Sequence, residues 1–425
     1  MPKEATPGAP AAARAPAAAG AAAEWTRDRV KATLEAALAC ASSGECEVGL
    51  ETRRVSHTRF ARNEVTTAGA AEDLTLTITS RHEGRSGTIT TDDLSPAGLK
   101  AAMARAEALR ALMPVDPEMM DMLPPQRYPE LAKFHDESAR AGAAERAAGV
   151  KASLALAAKQ SLTAAGFYQN GAIVQGIANS KGNFGWHRRS DVEFSATMRT
   201  GDGTGSGWAS AYSPRFSDVD AKAVARRAAD KGIASAHPKE VPPGDYTVVL
   251  EPEAVADLFE TLQYGMLSAR AADEGRSVFS KEGGGSRIGE KIFPESVTLA
   301  TDRYWARKTN REPTPAPGSL VMQGGTQPLE ALIASTERGL LVTRFWYIRV
   351  VNPQTAMLTG LTRDGLFLIE KGKVAGPAVN LRFNESPVVM LQSVLGLGPA
   401  VPAGRMVLPA IKSGAFTFTS KSDAV

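Results

Sequence analysis

Two apolar rhythms alternate along this chain. Val30, Leu34, Ala37 and Leu38 recur at the interval of one helical face, which predicts a helix over about 24–40. Leu74-Thr-Leu-Thr-Ile-Thr79 alternates strictly, the period of a half-buried strand, and looser alternation over 47–55 and 60–65 predicts strand before it. His82-Glu83-Gly84-Arg85-Ser86-Gly87 reads as a tight turn into Thr88-Ile89-Thr90. Asp92-Asp93-Leu94-Ser95-Pro96 then opens a helix running to about 112.

The succession returns after a Pro- and Met-rich stretch, 113–133, that reads as an extended connection. An alanine-rich helix is expected over 137–159, and strands over 162–168, 172–178 and 192–199. Asn179–Asn183 is a turn, and Gly201–Gly207, with four glycines in seven positions, reads as a flexible hairpin tip. A helix over 218–236 closes this half. Helix, strands, helix thus appears twice, read here as two α/β layers of one N-terminal region ending near His237-Pro238.

From 241 onward strands and turns dominate. Pro242-Pro243-Gly244-Asp245 is a turn cluster before a strand at 246–250. A helix follows, with Pro252 in its first turn and Val255, Leu258, Phe259, Leu262 and Met266 on one face. It gives way to a Gly283-Gly284-Gly285 loop. A further helix is expected over 330–341, and strands over 340–344 and 345–351. If the second of these alternates, Phe345, Tyr347 and Arg349 share one face and Arg344, Trp346 and Ile348 the other. A hairpin at 366–374 turns at Lys371-Gly372, and 415–419 alternates once more.

The expected class is α+β: an N-terminal α/β region of mixed sheets and helices over 24–237, with a linker near 113–136, and a C-terminal β-rich domain of antiparallel strands over 238–425. A chain of 425 residues exceeds what one core usually serves. Residues 1–23, mostly Ala, Pro and Gly, read as a disordered tail. The net charge of +3 is small, with cations and acids interleaved, which argues against a nucleic-acid partner. No run of 18 apolar residues predicts a membrane span. Cys40 and Cys46 are too few for a disulfide framework and fit a cytoplasmic setting as incidental thiols.

The strand, helix, Ser277-Val278-Phe279-Ser280 and glycine-loop order of 241–289 resembles the central segment of the TldD/PmbA family of zinc peptidases. The resemblance extends from about Thr58 to the C-terminus. It includes the pattern of strands and glycine turn at 58–90. It is most specific over Gly339–Ser386, GLLVTRFWYIRVVNP followed by TGLTRDGLFLIEKGKVAGPAVNLRFNES. Catalytic TldD-type members carry His-Glu-x-x-x-His on the central helix, where this chain has Leu258-Phe-Glu-Thr-Leu-Gln-Tyr-Gly265, and no histidine follows His237. The C-terminal cysteine that completes the site in catalytic relatives is also absent. This departure matches the PmbA branch, also called TldE, the subunit lacking the metal motif. The resemblance implies a cytoplasmic dimer with a TldD-type catalytic subunit that supplies the zinc, acting on unfolded or modified peptides. This chain would then contribute no metal ligand. The alternatives are an autonomous metallopeptidase or hydrolase with a divergent site, and a non-enzymatic peptide-binding homodimer.

A catalytic zinc takes about three protein ligands and leaves room for water. The five histidines, His57, His82, His135, His187 and His237, show no helical pairing and read as scattered. Glu260 is the one candidate for a surviving general base, and an ordinary solvated glutamate is the plainer reading. Ser277 and Ser286 have no indicated His or Asp partner. Gly283–Gly289 lacks the spacing of a phosphate loop and reads as an interface loop. Arg344, Trp346, Tyr347 and Arg349 place cations beside aromatics, as on surfaces that grip a partner or a peptide. An ordinary amphipathic strand is the competing reading.

Overall fold

A computed structural model describes residues 25–263, 266–290, 299–315 and 318–422. The expected N-terminal tail, residues 1–23, lies outside the described residues, as does Tyr264.

In the N-terminal half, α1 (Arg27–Leu38) leads into β1 (Glu45–Ala61), β2 (Glu64–His82), β3 (Arg85–Thr91) and α2 (Pro96–Leu112). After the connection come α3 (Asp136–Arg140), α4 (Ala143–Lys159), β4 (Leu162–Asn179), β5 (Phe184–Thr200), β6 (Ser206–Ser213) and α5 (Ala221–Ala234). The two units do not stack as two layers. They share one antiparallel six-stranded sheet, ordered β3-β2-β1-β4-β5-β6, joined where β1 pairs with β4. Each unit is a three-stranded meander flanked by helices, so the repeated succession in the sequence becomes a near-symmetric sheet. Several expected short strands merge into long ones because β1 and β4 pair with each other from Glu47 to Phe60 and from Gly166 to Asn179, each with a second partner on its other side. The glycine-rich 201–207 stretch is a tight turn whose last residues already belong to β6.

Even-numbered side chains of β1 and β4 face the helices. Val48, Leu50 and Val174 pack with Val30, Leu34 and Met103, and Phe60, Tyr168 and Phe194 pack with Val150, Val224 and Ala228. The β1–β2 hairpin turns on Arg62 and Asn63, both at left-handed φ of 54° and 63°. The Asn63 side chain holds that turn to β4, donating to the Leu162 carbonyl and accepting from the Ala164 N–H.

The C-terminal half contains β7 (Gly244–Asp245), β8 (Val248–Leu250), α6 (Pro252–Gln263), α7 (Ala269–Asp273), α8 (Arg303–Thr309) and α9 (Leu329–Ala334). Then follow β9 (Arg338–Val342), β10 (Phe345–Asn352), β11 (Met357–Thr362), β12 (Leu366–Glu370), β13 (Lys373–Pro377) and β14 (Leu381–Glu385). Last come α10 (Pro387–Gln392), β15 (Val394–Ala403), β16 (Met406–Ser413) and β17 (Thr417–Lys421). They form a five-stranded sheet, β10-β11-β14-β17-β7, and a six-stranded sheet, β13-β12-β9-β8-β16-β15. The α+β class therefore stands, with one refinement: β8 and β9 pair in parallel, because α6 lies between them as a crossover. The helix expected over 330–341 ends at Ala334. Residues 338–342 are instead the buried strand β9, whose pairing with β8 and β12 outweighs local helix propensity.

Phe345, Phe383, Phe416 and Phe418 form one aromatic cluster beneath the five-stranded sheet, with neighbouring ring centres 4.7–5.5 Å apart. It packs with Val255, Leu258 and Leu262 of α6 in one core. Phe259, expected on the core face, is only half-buried at that core's edge.

Candidate functional site at the junction of the two halves

Pro252 suits the first turn of α6 because its missing N–H would have no helical partner there. The buried face of the helix holds Ala254, Val255, Leu258 and Leu262. Asp257 stands at the border of that face, and its Oδ2 accepts the Phe345 N–H at 2.8 Å. This ties α6 to the first residue of β10. Burial pushes the Asp257 carboxyl up to about 7, against the pull of the Arg344 guanidinium.

Arg344 lies between the halves. Its Nη1 is 3.3 Å from Asp364 Oδ2, and its guanidinium sits 3.9 Å from the centre of the Trp208 ring and 5.1 Å from that of Trp346. The stacking is a cation–π contact in a largely dry setting, since the Arg344 side chain is 17% exposed and that of Asp364 only 3%. Asp364 also accepts from Ser206 Oγ at 2.6 Å, and Arg363 Nε lies 3.8 Å away. Asp364 and Gly365 hold positive φ of 56° and 131°, so a strained turn presents this carboxylate to β6. A cavity of about 140 Å³ opens beside it, lined by Ser206, Ser235, Asp364, Leu366 and Asn380 among others.

Further polar contacts cross the same seam. Lys231 of α5 meets Glu251 at 2.5 Å, Arg405 approaches Asp191 at 3.6 Å, and Arg270 grips Glu118 with bonds of 2.6 and 2.9 Å. The last pair flanks a groove of about 680 Å³ that also takes in Arg81, Arg303 and Tyr304.

The sequence candidates separate. Arg344 is engaged inside the chain. Trp346 and Tyr347 are 42% and 61% exposed, Arg349 stacks 4.4 Å from the Tyr347 ring centre, and Val350 and Val351 are exposed beyond them. These residues lie on β10, the edge strand of its sheet. Simple alternation fails here. Phe345 is buried while Tyr347 is exposed, because the register with β11 slips between Trp346 and Arg349 and Tyr347 adopts a φ of 56°. Glu260 is exposed on the outer side of α6. Asp257, Asp364 and Trp208 escaped the sequence reading. A carboxylate bordering an apolar helical face and an Asp-Gly pair between strands were the available signals.

Other candidates resolve as structural. Cys46 is buried and its thiol is pushed up to about 12 by burial, so it is not a thiolate nucleophile. Ser277 is buried, its hydroxyl 3.4 Å from the Met266 carbonyl and bonded by the Phe279 N–H. Gly283, Gly284 and Gly285 all hold positive φ in a turn closed by the Lys281 N–H on the Gly285 carbonyl.

The donor set at α6 does not fit a zinc ion. It supplies carboxylates only, Glu253, Asp257 and Glu260, with Asp257 already bonded to β10, and no histidine or cysteine lies in the C-terminal half. Among the described residues no three His, Cys, Asp or Glu side chains converge as a metal site.

Three family profiles match the chain: PmbA/TldA metallopeptidase domain 1 over 46–110, the central domain over 132–236, and the C-terminal domain over 243–304 and 300–420. The chain belongs to the PmbA/TldD metallopeptidase family. No curated protein matches it by sequence. Its fold is shared by TldE of Thermococcus kodakarensis, with a TM-score of 0.75, 17% identity, and 92% of this chain and 99% of that one covered. A protein of Thermotoga maritima described as a modulator of DNA gyrase superposes with a TM-score of 0.76 at 17% identity, covering 88% and 96%. A protein of Bacteroides thetaiotaomicron of the same description gives 0.76 at 19%, covering 93% and 99%. Among the described residues no helix is long and apolar enough to cross a membrane.

The Asp257 environment has a consequence for stability. Its carboxyl is raised in the folded chain, whereas the unfolded chain ionises it near the ordinary carboxylate value. Folded stability therefore falls as pH rises between those two values, and the deficit is complete above about 7. Asp257→Asn keeps an oxygen for the Phe345 N–H and removes the charge. The variant is expected to match the parent near pH 4 and to melt several degrees higher at pH 8, by up to about 4 kcal/mol of stability. Equal melting temperatures at pH 8 would show that the carboxylate is not strained there.

Proposed function

We propose that this chain is the non-zinc, PmbA/TldE-like subunit of a heterodimeric metallopeptidase of the cytoplasm. A TldD-type partner supplies the zinc, and the pair acts on unfolded or modified peptides. One observation carries the reading: the chain matches all three domains of a metallopeptidase family, yet the helix that bears the metal motif in catalytic members offers no histidine. Catalysis then belongs to the partner, and this chain contributes surface.

The exposed edge of β10 supports a gripping role. Trp346, Tyr347 and Arg349 lie on a strand that has no second strand partner among the described residues, and aromatic and arginine side chains are the usual anchors of interfaces. The chain purified alone is expected to cleave no unstructured peptide in a chelator-sensitive manner. Mixed with a partner carrying His-Glu-x-x-x-His, it should support cleavage that chelator removes. Arg349→Glu should lower the activity of the mixture at unchanged zinc content, because the residue would hold partner or peptide and not metal. Chelator-sensitive cleavage by this chain alone would overturn the reading.

A further inference from the structure

We propose that the His237-Pro238 step is a hinge about which the two halves open as rigid bodies, and that the polar contacts along their seam form a salt-sensitive clasp that holds them closed. The hinge belongs to this chain alone and operates whether or not a catalytic subunit binds it.

The chain passes from one half to the other between two anchors. His237 is fixed to the N-terminal half: its N–H donates to Thr204 Oγ1 at 3.1 Å, and its ring lies 3.6 Å from the Asp202 carboxylate. Lys239 is fixed to the C-terminal half. Its N–H donates to the Pro377 carbonyl and its carbonyl accepts the Val379 N–H, both at 2.9 Å. Pro238 alone stands between these anchors, and its ring locks its own φ. Rotation is therefore confined to the backbone of His237 and the ψ of Pro238. His237 holds a left-handed φ of 53°, whereas a residue before proline is ordinarily extended. The closed arrangement thus imposes backbone strain at the pivot. Pro238 also lines the cavity of about 140 Å³ beside Asp364, which gives it room to swing.

What holds the halves together is polar. Among the described residues, each of the four apolar clusters lies wholly within one half. The seam is spanned instead by the ion pairs Lys231–Glu251, Arg405–Asp191 and Arg270–Glu118, and by the stack and hydrogen bond around Asp364. Each half keeps its own core when the seam parts, and the released ions regain water. Domain interfaces without a large apolar area permit relative motion. Dissolved salt screens the attraction that draws the charges back together, so it favours the open form.

The test labels the full chain with nitroxides at Arg105→Cys and Lys373→Cys, exposed positions in opposite halves, in a Cys40→Ser background. Double electron–electron resonance reads the distance between them. A single population should dominate in about 0.05 M sodium chloride, and a second population at a longer distance should grow at least about threefold in about 1 M. Glu251→Gln with Asp191→Asn should raise that population already at low salt. His237→Val should raise it too, because a β-branched side chain resists positive φ, whereas His237→Asn tolerates it and should behave as the parent. A control pair within the N-terminal half, Arg105→Cys and Lys222→Cys, should keep one distance throughout.

A distance between the halves that salt leaves unmoved would overturn the proposal, as would an equal response to valine and asparagine at position 237. So would a shift in the control pair, which would signal local unfolding, or a longer population that grows with protein concentration, which would arise between chains.

Discussion

Phe416→Ala is expected to destabilise the C-terminal half by about 3–5 kcal/mol, the usual cost of truncating a buried phenylalanine. Phe416 has no exposed surface and touches Phe345, Phe383 and Phe418, with ring centres 5.4, 5.5 and 5.1 Å away. These rings come from β10, β14 and the segment entering β17, which are far apart in sequence, so the cluster holds the five-stranded sheet together. The Tyr246–Phe418 contact at 6.1 Å extends it toward the start of β8. The cavity left by alanine would sit at the centre of this cluster, where the surrounding strands are fixed by their pairing and relax little. Phe416→Leu should recover roughly half of the loss, since leucine refills part of the volume. Urea unfolding followed by tryptophan fluorescence measures both variants. A loss under about 1 kcal/mol for Phe416→Ala would mean that the cluster does not carry the core.

Removing the Arg344 guanidinium should be as costly, and in a different way. Arg344→Met is expected to destabilise by about 3–5 kcal/mol, because it leaves the Asp364 carboxylate largely out of water with one cation withdrawn. Arg363 and the Ser206 hydroxyl remain, and they soften the loss without replacing the ion pair and the Trp208 stack. The location matters more than the magnitude. Ser206 and Trp208 lie on β6 of the N-terminal sheet, whereas Arg344 and Asp364 belong to the C-terminal half. Thermal unfolding of Arg344→Met should therefore separate into two transitions, with the halves no longer melting together. Asp364→Asn, which tolerates the left-handed φ, should restore part of the stability when combined with Arg344→Met, since the buried Asp364 charge that lost its ion pair is then removed. A single sharp transition in Arg344→Met at the parent's temperature would remove Arg344 from this structural role.

Most elements were legible because their rhythm is local. The stripe of Val30 and Leu34, the alternation of 74–79, Pro252 at a helix start and the Lys371-Gly372 turn each report backbone state within a few residues. The class α+β followed from these. So did the resemblance to a zinc-peptidase family and the loss of its histidines, since motif residues are read by identity and spacing alone.

What the chain does with those elements was decided in three dimensions. Nothing in the repeated helix–strand–helix succession says whether the two units stack or join edge to edge. That depends on β1 pairing with β4, more than a hundred residues apart in sequence. The end of α9 and the start of β9 depend on an open slot between β8 and β12, a tertiary demand that overrides propensity. Tyr347 was expected beside Phe345, and a register slip against β11 turned it outward, because pairing, and not period, sets the facing of a bulged strand. The raised carboxyl of Asp257 and the junction of Arg344, Asp364 and Trp208 exist only once distant residues meet. Charge and burial are properties of an assembled neighbourhood, whereas sequence by itself determines which groups are available to enter it.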